Sequence, residues 1–247
     1  MNIPHQRRQQ MVHRRFLILL LLLGSMLVIH PVAMQGGPAH MLLRVLISAV
    51  FAVVTWNIFP TGRSRGIALA LGMPVIVAHW ACDLSPALSH TALPFLFNVL
   101  AFLFLAYSVI VILRAVYTES NLSREAIYGA LCGFLLIGAA FGHLFYCLDW
   151  LAPADFEREG AAAVRSVDVG HKQALFMYFS FTALTGMSDP DLTPRATAGR
   201  SLVLVEAVLG QFYVIVVLSE LISLRVSRVA PPEPAAEGLI ARTGSPV

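Results

Sequence analysis

Long apolar runs broken by short polar punctuation set the pattern of this chain. They predict six helices, at about Phe16 to Ala33, Met41 to Phe59, Gly66 to Asp83, Leu93 to Tyr117, Glu125 to Leu151 and Gly199 to Leu224. Each is close to the roughly 20 apolar residues that cross a bilayer. The breaks carry turn residues, as in Pro31 to Pro38, FPTGRSR from Phe59, DLSPALSHT from Asp83 and TESNLSR from Thr118. Ser123 suits an N-cap for the fifth helix, with Glu125 in its first turn. The connection from about Ala152 to Ala198 is much longer than the others. It holds an apolar stretch too short to span, Gln173 to Thr185 (QALFMYFSFTALT), followed by the polar turn GMSDPDLTP. A short apolar helix and a helix-breaking turn read as a re-entrant pore helix and loop, because irregular backbone is tolerated at membrane depth where it lines a water-filled cavity. The fold class expected is therefore all-α membrane protein, with six transmembrane helices and a re-entrant segment between the fifth and sixth.

Composition sharpens this. Of 247 residues, 57% are hydrophobic and 13% charged, against about 25% charged in a soluble domain. Too few charges remain to cover a water-facing surface. The net charge of +3 does not indicate nucleic acid, since no aromatic-interleaved basic groove is present. The basic residues sit in the N-terminal arm (Arg7, Arg8, Arg14, Arg15), the second and fourth loops (Arg63, Arg65, Arg114, Arg124) and the C-terminal tail (Arg225, Arg228). That bias puts both termini of a multi-pass cell-membrane protein in the cytoplasm. Arg44 is the exception, near the outer end of the second helix, from which it is expected to snorkel. No small-x-small cleavage site follows the first segment, so it reads as a retained span. Cys82, Cys132 and Cys147 all fall in apolar segments and read as buried thiols. Three regions follow: a four-helix region over 1–118, a pore unit over 119–226, and a proline-rich, disordered tail over 227–247.

The stretch Tyr178 to Pro194, YFSFTALTGMSDPDLTP, resembles the pore helix and filter of bacterial potassium-channel-family proteins, whose pattern is similar to YFSF-x-T-L-T-T-V-G-Y-G-D-I-T-P. Tyr178, Phe179, Ser180, Phe181, Leu184, Thr185, Asp191, Thr193 and Pro194 match without gaps. Beyond them Arg200, Ser201, Leu202, Glu206, Ala207, Gly210, Gln211 and Tyr213 look like the start of the family's inner helix. The resemblance covers about Glu125 to Leu224. It implies a homotetrameric ion channel in the lipid bilayer, passing monovalent cations such as potassium, with no cofactor and no catalytic residue. It implies a filter and pore mouth at Thr185, Gly186, Met187, Ser188, Asp189, Pro190 and Asp191. It also implies filter support from Glu206 and a gating hinge at Gly210.

The filter core departs from the family. Gly186, Met187, Ser188, Asp189 and Pro190 stand where the family has T-V-G-Y-G. The family filter aims backbone carbonyls at the ion, and its glycines take positive φ. Proline, locked near −65°, cannot take that conformation. This argues against a potassium-type carbonyl ladder. Asp191 would lie at the outer mouth, where a fourfold acidic ring attracts cations. Asp189 reads equally as a ring member or as a structural acceptor behind the filter. For Gly210 the alternative to a hinge is close helix packing.

Other chemistry is weaker. The fourth helix, Leu93 to Leu113, has no charged residue, so it is not a standard voltage sensor. His79, Cys82 and Asp83 close the third helix, and His143 and Cys147 share a face of the fifth. They would hold a metal only if the two helices met. Walker, dinucleotide and hydrolase-elbow motifs are missing. Asp155 to Asp168 reads as a solvated outer loop. Two further readings stay open: a non-conducting channel relative acting as membrane scaffold or sensor, and a metal or proton transporter using His79, His143 and the intramembrane acids.

Overall fold

The computed structural model describes residues 15–33, 38–59, 62–84, 91–118, 124–152, 156–158, 169–187 and 192–229. These form α1 (Arg15–Ala33), α2 (Pro38–Ile58), α3 (Gly62–Leu84), α4 (Leu93–Thr118), α5 (Arg124–Leu151), β1 (Phe156–Arg158), α6 (Val169–Thr185), β2 (Leu192–Pro194) and α7 (Thr197–Val229). The architecture is all-helical apart from one short strand pair. Among the described residues, four helical stretches are long and apolar enough to cross a membrane: Ser64–Cys82, Leu93–Val116, Ala126–Leu151 and Thr197–Val217. The apolar stretches of α1 and α2, Phe16–Ile29 and Met41–Trp56, are shorter.

Several boundaries differ from the sequence reading, for local reasons. The third helix starts at Gly62, so Arg65 falls in its opening turns. There Arg65 donates from Nε to the Phe59 carbonyl at 3.2 Å and lies over the Trp56 ring at 5.1 Å, fastening the α2–α3 turn. The half-length helix starts at Val169 and takes in His171 and Lys172. The last helix runs to Val229, into the segment expected to be tail. The remainder of that tail, 230–247, lies outside the described residues. Arg44 does not snorkel; it is turned inward and only 9% exposed.

Packing centres on α5, which lies along α4 and α6 and also touches α1 and α7. Small residues on α5 allow this. A Cβ at Gly138 would fall 2.6 Å from the Phe181 ring of α6, and one at Gly142 would meet Met177 at 3.0 Å. Helices in lipid associate through such close contacts, since lipid tails are as apolar as leucine. One core joins α1 to α6 around Leu19, Val54, Phe104, Ile112 and Leu136. A second holds Phe145, Tyr146, Phe156, Phe176, Phe179 and Leu192. Polar side chains inside the apolar helices bond back to their own backbone: Thr55 to Phe51 at 2.8 Å, Ser108 to Phe104 at 2.7 Å, and Asn98 Nδ2 to Pro94 at 2.8 Å. Such back-bonding satisfies a polar group on an apolar helix without a partner from another element.

Candidate functional site: helix α6 and its anchors

Helix α6 has 17 residues, about 25 Å at 1.5 Å per residue, so it is shorter than the spans on either side. It packs against both α5 and α7. It ends because Gly186 takes φ 78°. The Gly186 N–H bonds to the Ala183 carbonyl at 3.0 Å, the closing bond of a left-handed helix C-cap. Gly186 is thus a helix terminator. The sequence reading had aligned it with the first filter residue. Alanine at this position must adopt a left-handed φ, with its Cβ 3.3 Å from Gln211 Nε2. Gly186→Ala is expected to lower stability by about 1–2 kcal/mol, measured as a depressed thermal midpoint in detergent.

Thr185, Gly186 and Met187 are exposed at the end of α6. The Thr185 hydroxyl turns back onto its own helix, donating to the Phe181 carbonyl at 2.8 Å. Ser188, Asp189, Pro190 and Asp191 lie outside the described residues.

Glu206 is completely buried on α7. Its Oε1 accepts from the Ser180 hydroxyl of α6, which also lies 2.6 Å from the Gly138 carbonyl of α5. One side chain thus ties three helices together. Glu206 Oε2 has no hydrogen-bond partner among the described residues. Gly210, one turn further along α7, sits against the backbone of Leu184, where a Cβ would come within 3.0 Å of Leu184 Cδ1. The α7 helix is unbroken through Gly210. Tyr213, next on that face, donates its hydroxyl to the Ala130 carbonyl of α5 at 2.6 Å.

The N-terminal end of α6 is held by charge. Lys172 pairs with Asp149 of α5, whose side chain is 1% exposed against 13% for the lysine. The ammonium also lies 5.4 Å from the Tyr146 ring centroid. On the other side, β1 and β2 pair antiparallel, with Phe156 opposite Pro194 and Arg158 opposite Leu192. Phe156 meets the Phe145, Phe176 and Phe179 rings edge-on at 5.0–6.0 Å. Within the segment expected to be a solvated loop, Phe156 is therefore buried, and its strand fastens β2 to α5 and α6. The signal for it was one phenylalanine, Phe156, in an otherwise charged stretch.

No family model, curated protein or solved structure matches the chain. The reading of its site therefore rests on its own residues.

His79 and His143 share one aromatic neighbour. The Phe97 ring contacts both, stacked on His79 at 5.5 Å and edge-on to His143 at 5.6 Å. Among the described residues no group of three or more His, Cys, Asp or Glu side chains is gathered as metal ligands. His143 Nδ1 lies instead 2.7 Å from Asn98 Oδ1 and 3.3 Å from the Gln173 amide.

Proposed function

We propose that the chain is one subunit of a tetrameric cation channel of the potassium-channel superfamily, with six spans, a re-entrant α6 and both termini in the cytoplasm. The observation that carries this reading is α6 itself. It is a helix too short to span, seated between two longer ones and tied to both by Ser180. Its end leads into exposed Thr185, Gly186 and Met187 and then into GMSDPD. The C-terminal end of a helix carries partial negative charge and favours a cation. Glu206, buried against the pore helix, supports the filter from behind.

Tetramer formation is supported by α7. Only 17% of its spanning window is buried within the chain, against 61% for α5. Its exposed surface includes a polar residue, Gln211, among Leu204, Phe212 and Ile215. One pore loop cannot enclose a path, whereas four related by rotation can.

The deciding experiment is current through the purified tetramer in planar bilayers, with potassium on one side and sodium on the other. The filter sequence GMSDP leads us to expect a current reversing near zero, with chloride impermeant. Reversal at the potassium potential would show a selective filter built without the usual glycines. Silence from a well-folded tetramer would favour the second reading, a non-conducting relative, for which Pro190 in the filter core is the specific motive. Asp191→Asn is expected to lower cation conductance most at low salt, where screening over roughly 30 Å is weakest. Unchanged conductance there would remove Asp191 from cation attraction.

A further inference from the structure

The four N-terminal helices have no assigned part in conduction, yet one of them reaches the pore helix through buried polar atoms. Asn98 of α4 is 1% exposed and His143 of α5 is 6% exposed. The Asn98 amide nitrogen donates to the Pro94 carbonyl at 2.8 Å, which fixes the orientation of the amide. Its Oδ1, 2.7 Å from His143 Nδ1, is therefore an acceptor, and His143 carries its proton on Nδ1. The Gln173 amide lies 3.3 Å from the same nitrogen. As drawn, Gln173 presents Nε2, a second donor, while its buried Oε1 has no hydrogen-bond partner. With the amide turned over, Oε1 faces the His143 N–H, which is then shared between Asn98 on α4 and Gln173 on α6.

Three polar groups inside an apolar bundle are costly unless bonded to one another, and together they select one arrangement of the helices that carry them. The node lies near the start of α6. Thr185 is twelve residues further on, about 18 Å along a rigid helix. A small tilt at Gln173 is therefore magnified at the end that leads into the filter segment.

We infer that Asn98, His143 and Gln173 form a positioning node through which α4 sets the pose of α6, making the N-terminal helices a regulatory module for the pore. Its effect on current rests on the channel reading; the coupling of α4 to α6 does not.

The test uses the full chain in detergent for amide hydrogen exchange and in bilayers for current. Asn98→Leu and His143→Phe remove the node, and His143→Gln keeps an N–H for Asn98. Exchange in 173–185 is expected to rise roughly threefold or more in the first two, with α1–α3 unchanged and open probability altered. His143→Gln is expected to restore both. Gln173→Leu, at a half-buried position, carries the same test if either of the others fails to fold. Unchanged exchange in 173–185 in folded variants would overturn the inference. So would a rise spread evenly over all helices, or no rescue by His143→Gln, since a purely structural residue behaves that way. A wild type without current whose α6 still responds locally would support the node and remove the channel reading instead.

Discussion

Lys172→Met is expected to destabilise the folded chain by about 3–5 kcal/mol, because it strands a buried carboxylate. Asp149 lies in the last turn of α5, almost wholly excluded from solvent, with Lys172 as its ion-pair partner. The ammonium also gains from the face of Tyr146. Removing the lysine leaves Asp149 charged in a low-dielectric setting with nothing to repay its lost hydration. Replacing both residues, as Asp149→Leu with Lys172→Met, is expected to be far milder, since an apolar pair of similar volume needs no such repayment. The measurement is thermal or denaturant unfolding in detergent for the two single variants and the double. If Lys172→Met loses less than about 1 kcal/mol, the pair behaves as a solvated surface bridge, and the N-terminal end of α6 is held by its aromatic contacts alone.

Gly210→Ala is expected to cost about 2–3 kcal/mol, and its sign separates two roles for this glycine. A Cβ there would run into the Leu184 carbonyl, with Leu184 C at 3.1 Å and Cδ1 at 3.0 Å. Backbone cannot rotate out of the way as a side chain can, so α6 and α7 must move apart, an overpacking strain in the range of 1–3 kcal/mol. A glycine present only as a hinge would respond in the opposite direction. Alanine would stabilise the helix by up to about 1 kcal/mol and alter gating alone. Unfolding midpoints of Gly210→Ala, read beside single-channel open times, distinguish the two.

Much of this architecture was legible in the sequence. The apolar runs from Leu93 to Tyr117 and from Glu125 to Leu151 match α4 and α5 to within a residue. Composition alone decides helices of that kind, because a bilayer demands length and apolarity and little else. The start of α6 was misplaced because a glycine and two polar residues, Gly170, His171 and Lys172, break the apolar run. What makes Lys172 acceptable in a helix is Asp149, 23 positions earlier, and nothing in the local pattern pairs them.

The candidate site divides in the same way. Glu206 stood out as a lone acid in an apolar run, and it is buried against α6. Ser180 was one letter of a motif until its hydroxyl was seen joining three helices. Asn98 was a single amide in LPFLFNVLAFLF. Its oddity was readable, but its partners on α5 and α6 depend on helix rotation, which such featureless apolar runs do not encode. Gly186 was marked only by its place in the motif, and its positive φ, which ends α6, is a backbone property that the sequence pattern does not spell out.

The contact of α1 with α5 has a consequence for biosynthesis. Cys132 Sγ reaches the Phe16 carbonyl at 3.5 Å across 116 positions of chain. At roughly 5–20 residues per second, α1 leaves the ribosome about 6–23 s before its partner on α5 exists. During that interval α2, which packs directly on α1, is its neighbour from within the chain. The face of α1 that carries Leu19 and Leu23 is later enclosed in the core, and until then it is open to other apolar surfaces. Translation that pauses between α4 and α5 prolongs this exposure, so α1 is locked in place only after α5, made much later, has arrived.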